Sequence, residues 1–214
     1  MTAALVAGGP VTLTDIDPFV DGAAVRRIGD VPFEALRSLG AEVVTHASLP
    51  LVAVPTFPGR TADSGPFLMT QVDEGAICTA MLELYQNEGV IAEPAGALSV
   101  AALTHISVAP GSTVVCLISG GNNDVSRYGE ILERSLVHLG LKHYFLVDFP
   151  QEPGALRRFL DEVLGPEDDI TLFEYVKRNN RETGAALVGI QLGVATGLSA
   201  LLERMRTSRL RGEQ

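Results

Sequence analysis

Between residues 142 and 205 the hydrophobic pattern changes in the order strand, helix, strand, strand, helix, and few folds accept that order. Strands are predicted over 143–149, 170–176 and 186–192, with helices over 155–164 and 197–205. Pro150 and Gly154 bound a turn, and the 165–169 loop (Gly-Pro-Glu-Asp-Asp) and the 179–184 hairpin supply the other breaks. This is most of a ferredoxin-like split β-α-β unit, an α+β module over 140–214. Such a module needs one more strand. After Met205 only TSRLRGEQ remains, too polar and too short for a central strand, so the last strand is in question.

The chain has 214 residues, enough for one large domain or two small ones. Its charge divides at the same place as its pattern. Residues 1–139 carry 6 Arg, no Lys and 15 acids, whereas 140–214 carry 10 basic and 11 acidic residues, an asymmetry expected of two joined modules. Hydrophobic residues at 46% and charged residues at 20% exclude a solvated tail. A net charge of −10 without a basic stripe argues against nucleic acid as a partner. No run approaches the roughly 20 apolar residues of a membrane span, and MTAALVAGGP has no basic region of a signal peptide, so a cytoplasmic protein is the default expectation. Cys78 and Cys116 lie in apolar runs and read as buried thiols, and His46, His105, His138 and His143 show no ligand spacing, so no metal site is expected.

Residues 1–139 read as α/β. A helix over 73–87 is expected from Ile77, Ala80, Met81 and Leu84, with Asp73 as N-cap and Gly89 as stop. Glu93-Pro94-Ala95-Gly96 reads as an interruption before a small-residue helix over 97–105. The run 112–118 (STVVCLI) has the pattern of a strand buried on both faces, and it empties into Ser119-Gly120-Gly121-Asn122 before a helix through Ile131 and Leu132. Residues 46–69, with four prolines and no sustained period, read as a long surface excursion.

Three places could carry chemistry. The 119–124 loop puts backbone donors and a hydroxyl at the carboxyl end of a sheet strand, where α/β folds bind ligands; a tight turn whose glycines only solve a steric problem satisfies the same spacing. Glu93 sits among apolar residues and must find a partner or shift its pKa, unless it points to solvent. Gly154, Ala155 and Leu156 begin a helix whose free amides suit a small anion such as an amino-acid carboxylate, although Gly154 could simply turn the chain and Leu156 fill the core. No G-x-S-x-G elbow or paired-carboxylate motif is present.

Taken together, Asp21-Gly22-Ala23-Ala24-Val25, VDEGAICTAMLELYQNEGVIAEPAGALSVAAL, LISGGNNDVSRYGEILERSL and the block from Gly140 through Gly193 resemble the C-terminal half of the biosynthetic threonine ammonia-lyase (threonine dehydratase) family. The resemblance covers nearly the whole chain apart from 46–69 and the last dozen residues. It implies a partial tryptophan-synthase-like, fold type II, pyridoxal-phosphate domain over 1–139, with 46–69 an atypical insertion, followed by an ACT-like regulatory domain over 140–214. It implies conversion of L-threonine to 2-oxobutanoate and ammonia, toward isoleucine. Ser119 would sit beside the pyridine nitrogen of the cofactor, Gly120, Gly121 and Asn122 would shape the wall, Glu93 would stand behind it, and Gly22 would lie where the chain approaches. Isoleucine would bind near Gly154, Ala155 and Leu156 and favour a less active tetramer state.

The family's Schiff-base lysine, in a Ser-x-Lys motif, and its run of four glycines are not in this sequence, and Lys142 and Lys177 fall in the regulatory module. No catalytic residue is therefore assigned, and the chain alone is expected to be inactive. The alternatives that follow are pairing with a separate N-terminal half, a non-catalytic amino-acid-sensing subunit, or an inactive fragment; self-association is expected from apolar strand edges left unpaired.

Overall fold

The computed structural model describes residues 1–43, 49–50, 67–107, 110–175, 183–208 and 211–213. The chain divides into two compact units, Met1–Ile131 and Leu132–Gln214.

Unit 1 opens with helices α1 (Thr2–Ala7) and α2 (Asp30–Ser38). Four two-residue strands pair in parallel: β1 (Glu42–Val43) with β3 (Leu68–Met69), and β2 (Leu49–Pro50) with β4 (Ile106–Ser107). The excursion expected over 46–69 thus has short pairings near its ends, and its middle lies outside the described residues.

Helix α3 (Glu74–Glu88) begins as expected: the Asp73 carboxylate accepts from the Gly75 and Ala76 amides at 2.8 and 3.3 Å. It ends at Gly89, whose φ of 66° is the left-handed conformation that glycine adopts without a Cβ penalty. Ala76, Ile77, Cys78, Ala80 and Met81 of α3 are buried with Phe19, Ala92, Ala97, Ala101 and Ile131.

Helix α4 (Pro94–Ala101) departs from expectation by starting at the proline itself. At the first helical position the missing N–H is one the helix would leave unpaired anyway, so Pro94 starts the helix. The span to His105 is completed by a 3-10 turn over Ala102–His105.

The largest departure concerns 112–118. This run has no regular secondary structure and pairs with no strand among the described residues, and Val115 and Leu117 are 81% and 76% exposed. The run is tied to Ser99: the Ser99 hydroxyl donates to the Leu117 carbonyl at 2.8 Å, and the Cys116 thiol reaches the Ser99 carbonyl at 3.5 Å. Cys116 is accordingly half-buried, not buried. A continuous apolar run specifies a two-sided strand only when strands flank it.

Helix α5 (Tyr128–His138) contains the division between the units. Unit 2 then runs β5 (Lys142–Pro150), α6 (Ala155–Val163), β6 (Asp169–Tyr175), β7 (Thr183–Gln191), α7 (Leu198–Thr207) and β8 (Arg211–Glu213). The sheet order is β6-β7-β5-β8, antiparallel throughout, the connectivity of a split β-α-β sandwich. Strand alternation sends Phe145, Val147 and Phe149 of β5 and Ala186, Val188 and Ile190 of β7 into one core with Phe159, Val163, Leu201 and Met205 of the helices. Phe149 meets Phe159 and Phe173 edge-on at 5.3 and 5.7 Å between ring centres.

The last strand that the tail left in question is present. Arg211–Glu213 pairs with Leu146, Val147 and Asp148 of β5. Its polar sequence fits an edge, where only one side of the backbone needs a neighbour and charge discourages further pairing. Most of the 179–184 hairpin lies outside the described residues.

Candidate functional site

The first candidate site is built where the turn into α4 meets the loop after 112–118. The Glu93 amide donates to the Gly120 carbonyl at 3.0 Å, so the two segments lie side by side. The approach is too close for side chains. A Cβ on Gly120 would stand 2.5 Å from Glu93 Oε1, one on Gly96 would stand 2.5 Å from the Gly120 carbonyl oxygen, and one on Gly121 would stand 2.7 Å from the Ile91 carbonyl oxygen. A Cβ on Gly22 would lie 3.0 Å from Ala95 Cβ and 3.9 Å from Glu93 Oε1.

Gly22, Glu93, Gly120 and Gly121, expected from sequence, are therefore brought together, with Ser119 and Asn122 exposed on the same loop. Glu93 is half-buried against Gly120 and does not project freely into solvent. Two neighbours were not singled out in the sequence. Gly96 permits the contact between α4 and the loop. Asn123 has both side-chain amide atoms buried without a hydrogen-bond partner among the described residues. Asp124 closes the loop: its carboxylate accepts from the Ser126 amide at 2.9 Å, and the backbone and side chain of Ser126, with Arg127 a lesser influence, hold its pKa below the usual aspartate value. Arg127 is engaged elsewhere, donating to the Phe19 carbonyl at 2.8 Å and lying 4.8 Å from the centre of the Phe19 ring.

The second candidate site is a pocket of about 250 Å³ in unit 2, between the turn after β5 and the end of β6. Gly154, Ala155 and Leu156 all line it, and Phe149, Phe173 and Tyr175 supply an aromatic wall. Gly154 has φ 86°, which a side chain would strain, and α6 starts there without a side-chain cap. Leu156 is 41% exposed, so it lines the pocket and does not fill the core. Glu152 stands on the rim, paired with Arg158.

A polar cluster that the sequence did not announce fixes the start of the sheet. Lys142 is buried with its ammonium on the Glu133 carboxylate, which also accepts from the Tyr144 hydroxyl. Burial pulls the Lys142 pKa down, but hydrogen bonding and charge attraction from Glu133 and Tyr144 together outweigh it and the net shift is upward. No group of metal-ligating side chains occurs, and no helix is long and apolar enough to cross a membrane, among the described residues.

These features define an α+β module with an aromatic-walled pocket, joined to an α/β unit carrying a glycine-lined loop. Residues 133–214 match the family described as the C-terminal regulatory domain of threonine dehydratase. The chain is 65% identical over 213 residues to the biosynthetic L-threonine dehydratase IlvA of Mycobacterium leprae, covering 100% of this chain and 44% of that protein. The same-named enzyme of Corynebacterium glutamicum is 60% identical over 208 residues, 97% of this chain and 42% of the relative. That of Bacillus subtilis is 49% identical over 200 residues, 93% and 41% respectively. The chain belongs to the threonine dehydratase family and corresponds to its C-terminal part, spanning less than half the length of these relatives.

Proposed function

We propose that the chain is the carboxy-terminal portion of a threonine dehydratase, which converts L-threonine to 2-oxobutanoate and ammonia in isoleucine biosynthesis, and that its second module senses an amino acid, isoleucine by resemblance. The observation that carries this reading is the pocket at Gly154, Ala155 and Leu156 within the stretch matching the regulatory domain. Its volume and aromatic wall suit one branched aliphatic side chain. Residues 140–214 are then the regulatory domain, and 1–139 part of a tryptophan-synthase-like catalytic domain.

In that part the glycine-lined loop fits one wall of a pyridoxal-phosphate site: Gly120 and Gly121 admit no side chain, and Ser119 presents an exposed hydroxyl. Pyridoxal phosphate, when bound, supplies an electron sink for charge developing at the substrate Cα. The neutral Ser119 hydroxyl stabilises a ring nitrogen less strongly than a carboxylate would. Gly120, Gly121 and Asn122 shape the wall, the Glu93 carboxylate braces Gly120 from behind, and Gly22 lets its turn approach Glu93. Residues 1–139 contain no lysine, so their share of the reaction is binding and positioning. Isoleucine inhibits by binding one of two states more tightly than the other, in a tetramer or other homo-oligomer.

Mixed with pyridoxal phosphate and threonine, the chain alone is expected to show no yellow Schiff-base absorbance and to release no 2-oxobutanoate; colour with product would refute the positioning role. Calorimetric titration with L-isoleucine is expected to give saturable binding. The unit 2 pocket also serves a second reading, a non-catalytic amino-acid-sensing subunit, since sensing requires only that pocket. Co-expression with the N-terminal part of a relative separates them: isoleucine-inhibited activity supports the dehydratase, and binding without activity supports the sensor.

A further inference from the structure

Glu152, in the turn after β5, is the acid among the residues lining the unit 2 pocket. Its partner Arg158, one turn into α6, stands just outside that lining, next to Arg157, which belongs to it. The Arg158 amide donates to the Gly154 carbonyl at 3.0 Å, and its guanidinium lies 3.9 Å from where a Gly154 Cβ would stand. The guanidinium therefore lies beside Gly154, which lines the pocket. Both side chains are substantially exposed, 59% for Glu152 and 40% for Arg158, so their mutual attraction is weak and readily exchanged.

We infer that this pair is split by the ligand: the α-ammonium of a bound amino acid takes Glu152 and its α-carboxylate takes Arg158, while the side chain enters the wall of Phe149, Phe173 and Tyr175. The assignment rests on the effector reading above and adds to it the groups that select for an α-amino acid. A ligand with both charges can replace the internal pair without leaving either residue unpartnered. A 2-oxo acid leaves Glu152 without a donor, and an amine leaves Arg158 without an acceptor. The aromatic wall alone would accept all three, since it reads only the hydrocarbon.

The test uses the full chain and three probes in calorimetric titration: L-isoleucine, (S)-3-methyl-2-oxopentanoate, which lacks the ammonium, and 2-methylbutylamine, which lacks the carboxylate. L-Isoleucine is expected to bind at least about tenfold more tightly than either analogue. Glu152→Gln and Arg158→Gln are each expected to weaken isoleucine by about tenfold or more, with Glu152→Gln erasing the preference over the oxo acid and Arg158→Gln the preference over the amine. Thermal melts check that each variant folds, as expected for exposed positions. If the parent chain binds none of the probes, the effector reading itself fails. If it binds isoleucine and both variants bind it equally well, the effector reading stands and the Glu152–Arg158 assignment is overturned.

Discussion

Residues 143–149 and 112–118 are both apolar, β-branched or aromatic runs of strand length, and the two units treat them differently. The first is paired with β7 along its whole length and with β8 over Leu146–Asp148, and its alternate side chains Phe145, Val147 and Phe149 are buried. The second is tied to Ser99 and otherwise shows Val115 and Leu117 to solvent. Apolar composition makes a segment eligible to be a central strand; only neighbours on its edges make it one. Unit 2 supplies its own neighbours, whereas unit 1 offers none to 112–118 among the described residues.

Four perturbations break or sharpen that contrast. The largest effect is expected in the closed core: Phe159→Ala removes a fully buried ring that meets Phe149 edge-on and should cost about 3–5 kcal/mol in urea unfolding. Gly96→Ala should cost about 1–3 kcal/mol by the same measurement, because the new Cβ meets the backbone oxygen of Gly120, which cannot swing away as a side chain would. The sign is informative, since an alanine within α4 would otherwise favour the helix.

The third concerns pH. The Lys142 pKa is raised in the folded state, so the stabilisation is fully present below the ordinary lysine value of 10.5 and disappears as pH rises through the folded value. Lys142→Met should cost about 1–2 kcal/mol at neutral pH and reduce this alkaline fall, read from denaturation midpoints between pH 8 and 12; the remainder comes from Tyr144, whose pKa is also raised by burial and by the bond to Glu133. The smallest effect is expected on the open run: Val115→Thr or Leu117→Ser should change the melt of the chain by less than about 0.5 kcal/mol. The same changes should weaken association with an N-terminal part that supplies strands, by pull-down or sedimentation.

Legibility followed the same divide. In unit 2, Lys142–Pro150 and Ala155–Val163 fall where alternation and turn residues put them, because each element's pattern is satisfied by partners within the unit. Strand β7 instead begins at Thr183, three residues before the expected 186, and takes Thr183 and Gly184 from the expected hairpin turn because both pair with the end of β5. Arg211–Glu213 was not legible, since an edge strand requires a register against Leu146–Asp148 and not an apolar composition. Gly154, Ala155 and Leu156 could be found from the strand-to-helix turn, but Phe149, Phe173 and Tyr175 reach the same pocket from different strands, which only the topology brings together. In unit 1, Glu93 and Gly120 were each visible as unusual, and their contact was not, because 27 positions separate them in sequence. Pro94 was misleading because a proline that interrupts one element also starts the next.

Hydrogen-deuterium exchange of the full chain, with and without saturating L-isoleucine, tests the account most directly. Amides over 143–149 and 186–190 are expected to exchange slowly in both states, those over 113–118 to exchange close to the unprotected rate in both, and those over 151–157 to slow when isoleucine is added. Protection over 113–118 equal to that over 143–149, together with no response of 151–157 to isoleucine, would contradict it.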